Sequence, residues 1–376
     1  MRETDFLIVG AGIAGAGIAY FLSARARVLL IDMEEQAGYH TTGRSAAFYA
    51  ETYGGSKLQP LTTASKEFLR QPPADFCDHA ILTKLGAIHI FREDQRASAE
   101  AACAEMQRAL PKVTLLSGQE VCARAPHLKR DVVAGGIDDP DCGDLDVAGL
   151  HQGFIKGAKK KGAELLLGAG FEAASFADGR WHVKTRTEEI RASVIVNAAG
   201  AWGDQIAERA GVKPVGLTPL RRTIVTLANP DGLPFEKHGP VLIDVDEEFY
   251  FKPEGAGYLV SPADEAPSAA CDAQPELEDL AIAVDYFERT TGTQVNHIDA
   301  KWAGLRTFAP DRAPVIGYAA DHSNFFWNVG QGGYGIQTAP AWSELAAALA
   351  LGTDVPQYLT DAKVQAGQYD PARFSD

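Results

Sequence analysis

The chain has 376 residues, 46% of them hydrophobic and 23% charged, with a formal net charge of -15. That balance suits a globular protein of two domains or one large one; it excludes a polyanion such as nucleic acid as a partner, and no stretch approaches the roughly 20 apolar residues of a membrane span. The five cysteines, Cys77, Cys103, Cys122, Cys142 and Cys271, are scattered and show no CxxC, and the nine histidines form no ligand-spaced cluster with them. Reduced thiols and no metal are therefore expected. A first strand beginning at Asp5 leaves no room for a cleaved leader, so the expected location is cytoplasmic, with peripheral attachment to the inner face of the membrane left open.

Asp5-Phe-Leu-Ile-Val9 is an apolar run, followed directly by Gly10-Ala-Gly12-Ile-Ala-Gly15 and a helix predicted over 11–23. A second apolar run, Val28-Leu-Leu-Ile31, closes on Asp32. Strand, glycine turn, helix, strand and terminal acid form a dinucleotide fingerprint. Gly10 permits the tight turn, Gly12 leaves room for a pyrophosphate, and Gly15 lets the helix approach the strand. The phosphates then lie at the positive end of the helix. Asp32 can accept from a ribose 2′-OH and would repel a 2′-phosphate. The fingerprint alone leaves NAD and FAD equally open.

A polar, aromatic loop over 38–56, including Tyr53-Gly54-Gly55, is a candidate lid. Helices are predicted over 61–70 and 94–110, a strand over 87–91, and a helix capped by Asp146 and running to 161. Strands at 163–168 and 181–185 are expected to flank the turn Asp178-Gly179, and a buried strand at 194–200 ends in small residues before a helix from Trp202. From 214 to 300 the pattern changes to short β-rich runs at 222–227, 241–245, 249–252 and 258–260, then a helix at 276–289. This reads as an antiparallel sheet in a second domain. Runs at 302–306 and 325–329 lead to Gly330-Gln-Gly-Gly333-Tyr-Gly335-Ile-Gln337 and a last helix that rejoins the nucleotide domain. The expected fold is α/β in an α+β two-domain arrangement. A Rossmann-like domain (1–50, 151–213, 301–376) is interleaved with a substrate domain on a mostly antiparallel sheet (51–150, 214–300).

GAGIAG, HTTGRSAA, NAAGAW, WAGLRTFAPD and GQGGYGIQT occur in order across nearly the whole chain. Together they resemble the FAD-dependent amino-acid and amine oxidoreductases that include D-amino-acid oxidase, glycine oxidase and sarcosine oxidase. Within that family the resemblance is strongest to the bacterial D-arginine dehydrogenase branch. It implies non-covalent FAD. The residues implied at the cofactor are Gly10, Gly12, Ala14, Gly15, Asp32 and Met33; Thr42, Gly43, Arg44, Ser45, Ala46 and Ala47 by pyrophosphate and flavin; Phe171 by the adenine; Gly200 and Gly304; and Gly332, Gly333, Tyr334, Gly335, Ile336 and Gln337 by the pyrimidine end of the ring. Backbone N–H groups at a helix N-terminus would stabilise the negative charge that develops there on reduction.

The resemblance further implies that Arg222 and Arg306 hold a substrate carboxylate, with Tyr53 and Tyr250 over the substrate. Arg221 reads as a surface ion pair. Taken singly, an arginine in a strand is more often a surface ion pair, and Tyr250 in Phe249-Tyr-Phe251 could be core. The D-arginine dehydrogenase branch has a histidine where this chain has Phe48, and a glutamate that binds the cationic side chain where it has Ala87. A buried cation without a counter-charge is unfavourable, so neutral or apolar D-amino acids are expected as substrates. The implied reaction is oxidation to a 2-oxo acid and ammonia by hydride transfer from Cα to flavin N5. The alternative is oxidation of a 2-hydroxy acid, or of an amine such as sarcosine or glycine. No residue stands out as a general base; His40 and His89 are each more simply structural. The stretch Gly257-Tyr-Leu-Val-Ser261 lacks a lysine of the kind sarcosine oxidase places near N5, which favours a quinone or another acceptor over oxygen. An NAD-dependent dehydrogenase would leave HTTGRSAA and GQGGYGIQT unexplained, and a flavin-binding protein without activity would need neither Arg222 nor Arg306.

Overall fold

A computed structural model describes residues 1–374. The strands Arg2–Val9, Val28–Ile31 and Glu164–Leu166 run parallel, because each is buried on both faces or returns through a helix. Glu189–Asn197 extends this sheet on the other side of Arg2–Val9 and changes neighbours along its length. Its first half pairs antiparallel with Arg180–Thr185, while Ile195–Asn197 pairs parallel with Phe325–Trp327. Every strand of the parallel core therefore points its C-terminal end to one edge, where a doubly wound sheet takes its ligand.

The helices Ile13–Leu22, Val147–Lys160 and Gly335–Leu351 cover one face through Ile18, Phe154 and Trp342; the other face is closed by Trp181, Phe325 and Trp327. Each such buried aromatic contributes roughly 2–3 kcal/mol. Among the described residues, no helix is long and apolar enough to cross a membrane.

The second sheet has nine strands and is antiparallel except where Val241–Asp244 runs parallel to Ala87–Phe91. The helix Leu277–Thr291 packs Phe287 against Phe251 and Tyr258 on it. A small third sheet joins Phe48–Tyr49, Gly143–Leu145 and Leu82–Lys84.

Three expectations are corrected. The hairpin partner of Arg180–Thr185 is Phe171–Ala177, not 163–168; Asp178 and Gly179 turn it with φ of 53° and 73°, the left-handed pair that two-residue hairpins require. The helix expected at 61–70 starts at Gly55 and contains Pro60, so its first turn takes in residues that read as loop. The strand Ala300–Phe308 pairs with Thr218–Ala228, so the chain leaves the second sheet after 308 and not at 301.

His127 lies in this second core, 3% exposed, with both ring nitrogens unpartnered beside Phe251 and Tyr258. Burial pushes its pKa down to about 4, against an ordinary value of 6.5. A base that resists protonation only when folded withholds stability as pH falls: the loss begins below the unfolded pKa and grows until the folded pKa is reached. For His127 that is a fall of roughly 3 kcal/mol between neutrality and pH ~4. His127→Phe is expected to raise the melting temperature at neutral pH, and to flatten its decline on acidification. Melting curves across that interval check this.

Candidate active site

One cavity of about 510 Å³ runs along the C-terminal edge of the parallel strands and under the second sheet. At one end stand Asp32, Met33, Phe171, Glu172, Arg186 and Arg209; at the other, Phe48, Tyr53, Arg222, Tyr250 and Arg306. Between them lie Gly10, Gly12, Ala14, Thr42, Arg44, Ser45, Ala46, Ala47, Gly200, Gly304, Gly332, Gly333, Gly335, Ile336 and Gln337.

The turn into the first helix is shaped by close packing. Gly10 has φ of 103°, and a Cβ on it would meet Ala198 O at 2.5 Å. A Cβ on Gly15 would overlap Gly10 O, so Gly15 sits behind the turn and does not line the cavity. The helix has no side-chain cap of its own; Ile13 N donates to Thr42 Oγ1 at 2.9 Å, and Gly12, Ile13 and Ala14 line the cavity. Asp32 accepts from Ala11 N at 2.6 Å and Glu34 N at 2.9 Å. Burial still pushes its carboxyl above the ordinary range. Gly200, with φ of 53°, has no atom within 4 Å of where its Cβ would stand. The second helix, Gly335–Leu351, also brings its positive end to the cavity, beside the first. Two helix N-termini, an acid at the strand end and glycine-lined walls between them fit an adenine dinucleotide with an extended head group.

Several expected cofactor residues are engaged otherwise. Arg44 directs its guanidinium away from the cavity to Ala273 O and Ala303 O, at 3.0 Å each, and to Asp272. Gln337 accepts from Ala50 N and donates to Thr62 Oγ1 at 3.1 Å each, so its amide anchors the 50–53 segment. These bonds hold the segment to the last helix. Gly43 N donates to Gly38 O at 2.9 Å, closing a loop behind the wall. The Tyr334 ring lies tilted against that of Tyr53, centroids 4.8 Å apart, on the substrate side. Ala87 is fully buried in one cluster with Tyr250 and Phe48 and does not line the cavity; its strand lies in the same sheet as that of Tyr250, two places along, beyond Val241–Asp244.

At the substrate end, Arg306 is held by three contacts: its Nη2 donates to Tyr53 Oη, its Nη1 donates to Glu265 Oε1 at 3.0 Å, and its plane rests on Gly333. Arg222 Nε donates to Asp264 O at 2.8 Å. The two cations thus meet over an aromatic floor: the Phe48 ring lies 5.5 Å from Tyr250 and 6.0 Å from Tyr53. Burial pushes the Tyr53 hydroxyl up to about 12 despite the pull of Arg306. It stays protonated and, while accepting from Arg306, can donate to a carboxylate oxygen. Gly333→Ala would drive a Cβ into the Arg306 guanidinium, which is the movable end of a flexible side chain. The expected result is an intact fold with a displaced arginine: kcat/KM down about a hundredfold with the melting temperature nearly unchanged. Steady-state kinetics alongside a melt separate the two.

Sequence reasoning missed Glu265 and Arg312, and set His40 aside as structural. Asp264-Glu265 reads as loop acid between prolines, and nothing in spacing places it under two arginines from other strands. His40 lines the cavity, with Nε2 3.0 Å from Glu34 Oε1, its ring against Trp202, and a buried Nδ1 without partner. The one candidate ligand cluster among the described residues is Cys77, Asp78 and His79 at the surface; both His79 nitrogens are hydrogen-bonded, to Asp78 and Asp146 at 2.8 Å each.

The profile of the FAD dependent oxidoreductase family matches residues 5–349. Glycine oxidase of Bacillus licheniformis is 23% identical over 364 residues, covering 94% of this chain and 95% of that one. Mitochondrial dimethylglycine dehydrogenase of Rattus norvegicus is 24% identical over 360 residues, covering 89% of this chain but 41% of its own length, so the chain spans about two fifths of that relative. Among solved structures, L-proline dehydrogenase from P. horikoshii superimposes with a TM-score of 0.84 at 21% identity, over 100% of this chain and 98% of that one. Glycine oxidase from Geobacillus kaustophilus gives 0.82 at 19% identity, over 94% and 96%. These likenesses establish the two-domain α/β architecture and the relation to glycine oxidase and dimethylglycine dehydrogenase; they do not single out D-arginine dehydrogenase.

Proposed function

The chain belongs to the FAD-dependent oxidoreductase family, and on that premise we propose that it oxidises the Cα–N bond of D-amino acids with neutral or apolar side chains to an imine, which water hydrolyses to the 2-oxo acid and ammonia. The observation that carries this reading is the pairing of Arg222 and Arg306 at one end of the cavity, beside Tyr53 and Tyr250. Two guanidiniums offer bidentate recognition of a carboxylate, and a cofactor pocket alone has no need of them.

Side-chain preference follows from charge. Among the described residues, the carboxylates lining the cavity are Asp32 and Glu172, at the end away from the arginines. A cationic side chain would lie on Phe48, Ile224 and Tyr250 with no counter-charge. The bound FAD, held without a covalent link, supplies the two-electron acceptor. The chain's own groups do the rest: Arg222 and Arg306 fix the carboxylate, Tyr53 donates to it, and the aromatic wall excludes water around Cα. With no base positioned at the amine, its proton leaves to solvent as the substrate binds. The lysine-free stretch Gly257–Ser261 favours a quinone or another acceptor over oxygen for reoxidation.

A second reading, oxidation of an N-methyl or secondary amine such as sarcosine, or of glycine, draws on the names of the dimethylglycine dehydrogenase and glycine oxidase relatives. A kinetic panel decides. D-leucine, D-methionine and D-phenylalanine are expected to exceed D-arginine, D-lysine and every L-enantiomer in kcat/KM by about tenfold or more. Higher values for D-arginine, or for sarcosine, would reject the first reading.

A further inference from the structure

The two substrate arginines are backed on their solvent side by a carboxylate. Glu265 Oε1 accepts from Arg306 Nη1 at 3.0 Å and from Arg312 Nη2 at 2.9 Å, and lies 3.5 Å from Arg222 Nη2; Oε2 accepts from Arg312 at 3.1 Å. Arg222 and Arg306 line the cavity, whereas Glu265 and Arg312 do not. The exposures agree: 11% and 9% for the cavity arginines, 34% and 49% for Glu265 and Arg312. Glu265 therefore reaches the pair from outside, and Arg312 braces it there.

The backbone around this cluster is built to hold it. Ala263, Arg312 and Glu247 have φ of 50°, 59° and 58°, a left-handed conformation that residues with a Cβ rarely adopt. They belong to three different loops. Such strain persists only where the surroundings enforce it, and it gathers at functional sites. Glu247 lies within electrostatic reach of both Arg306 and Arg222.

The charges can be counted. Glu265 reaches Arg222, Arg306 and Arg312 and cancels one of their three positive charges; Glu247 and Asp264, both within electrostatic reach of Arg222, cancel more when ionised. Without Glu265 the cluster would present one more positive charge to a bound anion. We propose that Glu265 sets the number of carboxylates the site accepts, cancelling the charge that would otherwise admit a dicarboxylate. This rests on the carboxylate-binding reading of Arg222 and Arg306. Discrimination here is by charge subtraction and not by shape: Glu265 acts from outside the cavity through the arginines it neutralises, leaving a second carboxylate no free guanidinium charge.

Calorimetric titration of the holoenzyme with butyrate and with succinate tests this, because the two differ by one carboxylate at equal chain length. Glu265→Gln keeps the side-chain shape and an acceptor oxygen but removes the charge. It is expected to tighten succinate more than butyrate, raising the succinate-to-butyrate affinity ratio about tenfold at low ionic strength. Arg312→Gln removes a positive charge behind Glu265 and is expected to shift the ratio the opposite way. A role confined to holding the fold would not give shifts of opposite sign. Ratios within about twofold of wild type in both variants, or shifts in the same direction, would overturn the proposal while leaving the carboxylate site standing. If wild type binds neither anion, the carboxylate site itself fails and the proposal with it.

Discussion

Arg306→Ala is expected to lower kcat/KM about a thousandfold while leaving FAD content unchanged. The side chain is 8% exposed and ties together Tyr53 from one segment and Glu265 from another. Truncation removes the ligand's principal cation and leaves Glu265 and the Tyr53 hydroxyl facing the cavity without it. Loss of one partner of a buried, hydrogen-bonded charge pair costs about 2–5 kcal/mol, and the thousandfold figure lies inside that range. Arg306→Lys is expected to recover little, because an ammonium lacks the planar fork. Steady-state kinetics on protein of measured flavin content checks both variants. A kcat/KM within a few fold of wild type would remove Arg306 from substrate binding.

Gly15→Ala is expected to abolish flavin retention and to destabilise the fold. The added Cβ would overlap Gly10 O and come 3.3 Å from Ile8 Cγ2. Neither neighbour is the loose end of a side chain: one is the backbone of the turn, the other a core residue of the first strand. Relief requires moving the Gly10 turn, which Ala198 O already confines from the other side. The N-terminus of the helix then shifts from where a pyrophosphate needs it. Overpacking of this kind costs roughly 1–3 kcal/mol, in addition to the lost stabilisation by ligand. The ratio of protein to flavin absorbance and the melting temperature report the two effects. Gly367→Ala, with open space around it, is the control and should be silent.

The contrast between Gly15 and Glu265 shows what was legible in the residue order. Gly10, Gly12, Gly15 and Asp32 are consecutive in a local strand–turn–helix unit, so their spacing carries their geometry. The β-rich character of 214–300 was equally readable, since alternation and turns are local. The assignment of Ala300–Phe308 was not, because nothing in that strand's own sequence states that its partner is Thr218–Ala228. The same limit hid Glu265 and Arg312, which meet Arg222 and Arg306 only through the pairing of distant strands and loops. It also misplaced Ala87, whose strand lies in the same sheet as the cavity-lining Tyr250 but two places along, out of reach of the cavity. The helix expected at 61–70 begins six residues earlier and accommodates Pro60 near its start, after Gly54 with φ of 101° sets its entry.

The account stands on one chemical claim, that the flavin is reduced by an α-amino carboxylate held between Arg222 and Arg306. Anaerobic addition of single compounds, with the visible flavin band followed over time, tests it without reference to the electron acceptor. D-leucine, D-methionine and D-phenylalanine should bleach the band, and their decarboxylated amines should not. Bleaching by the amines as readily as by the amino acids, or by none of the amino or N-methyl amino acids in either configuration, would contradict it.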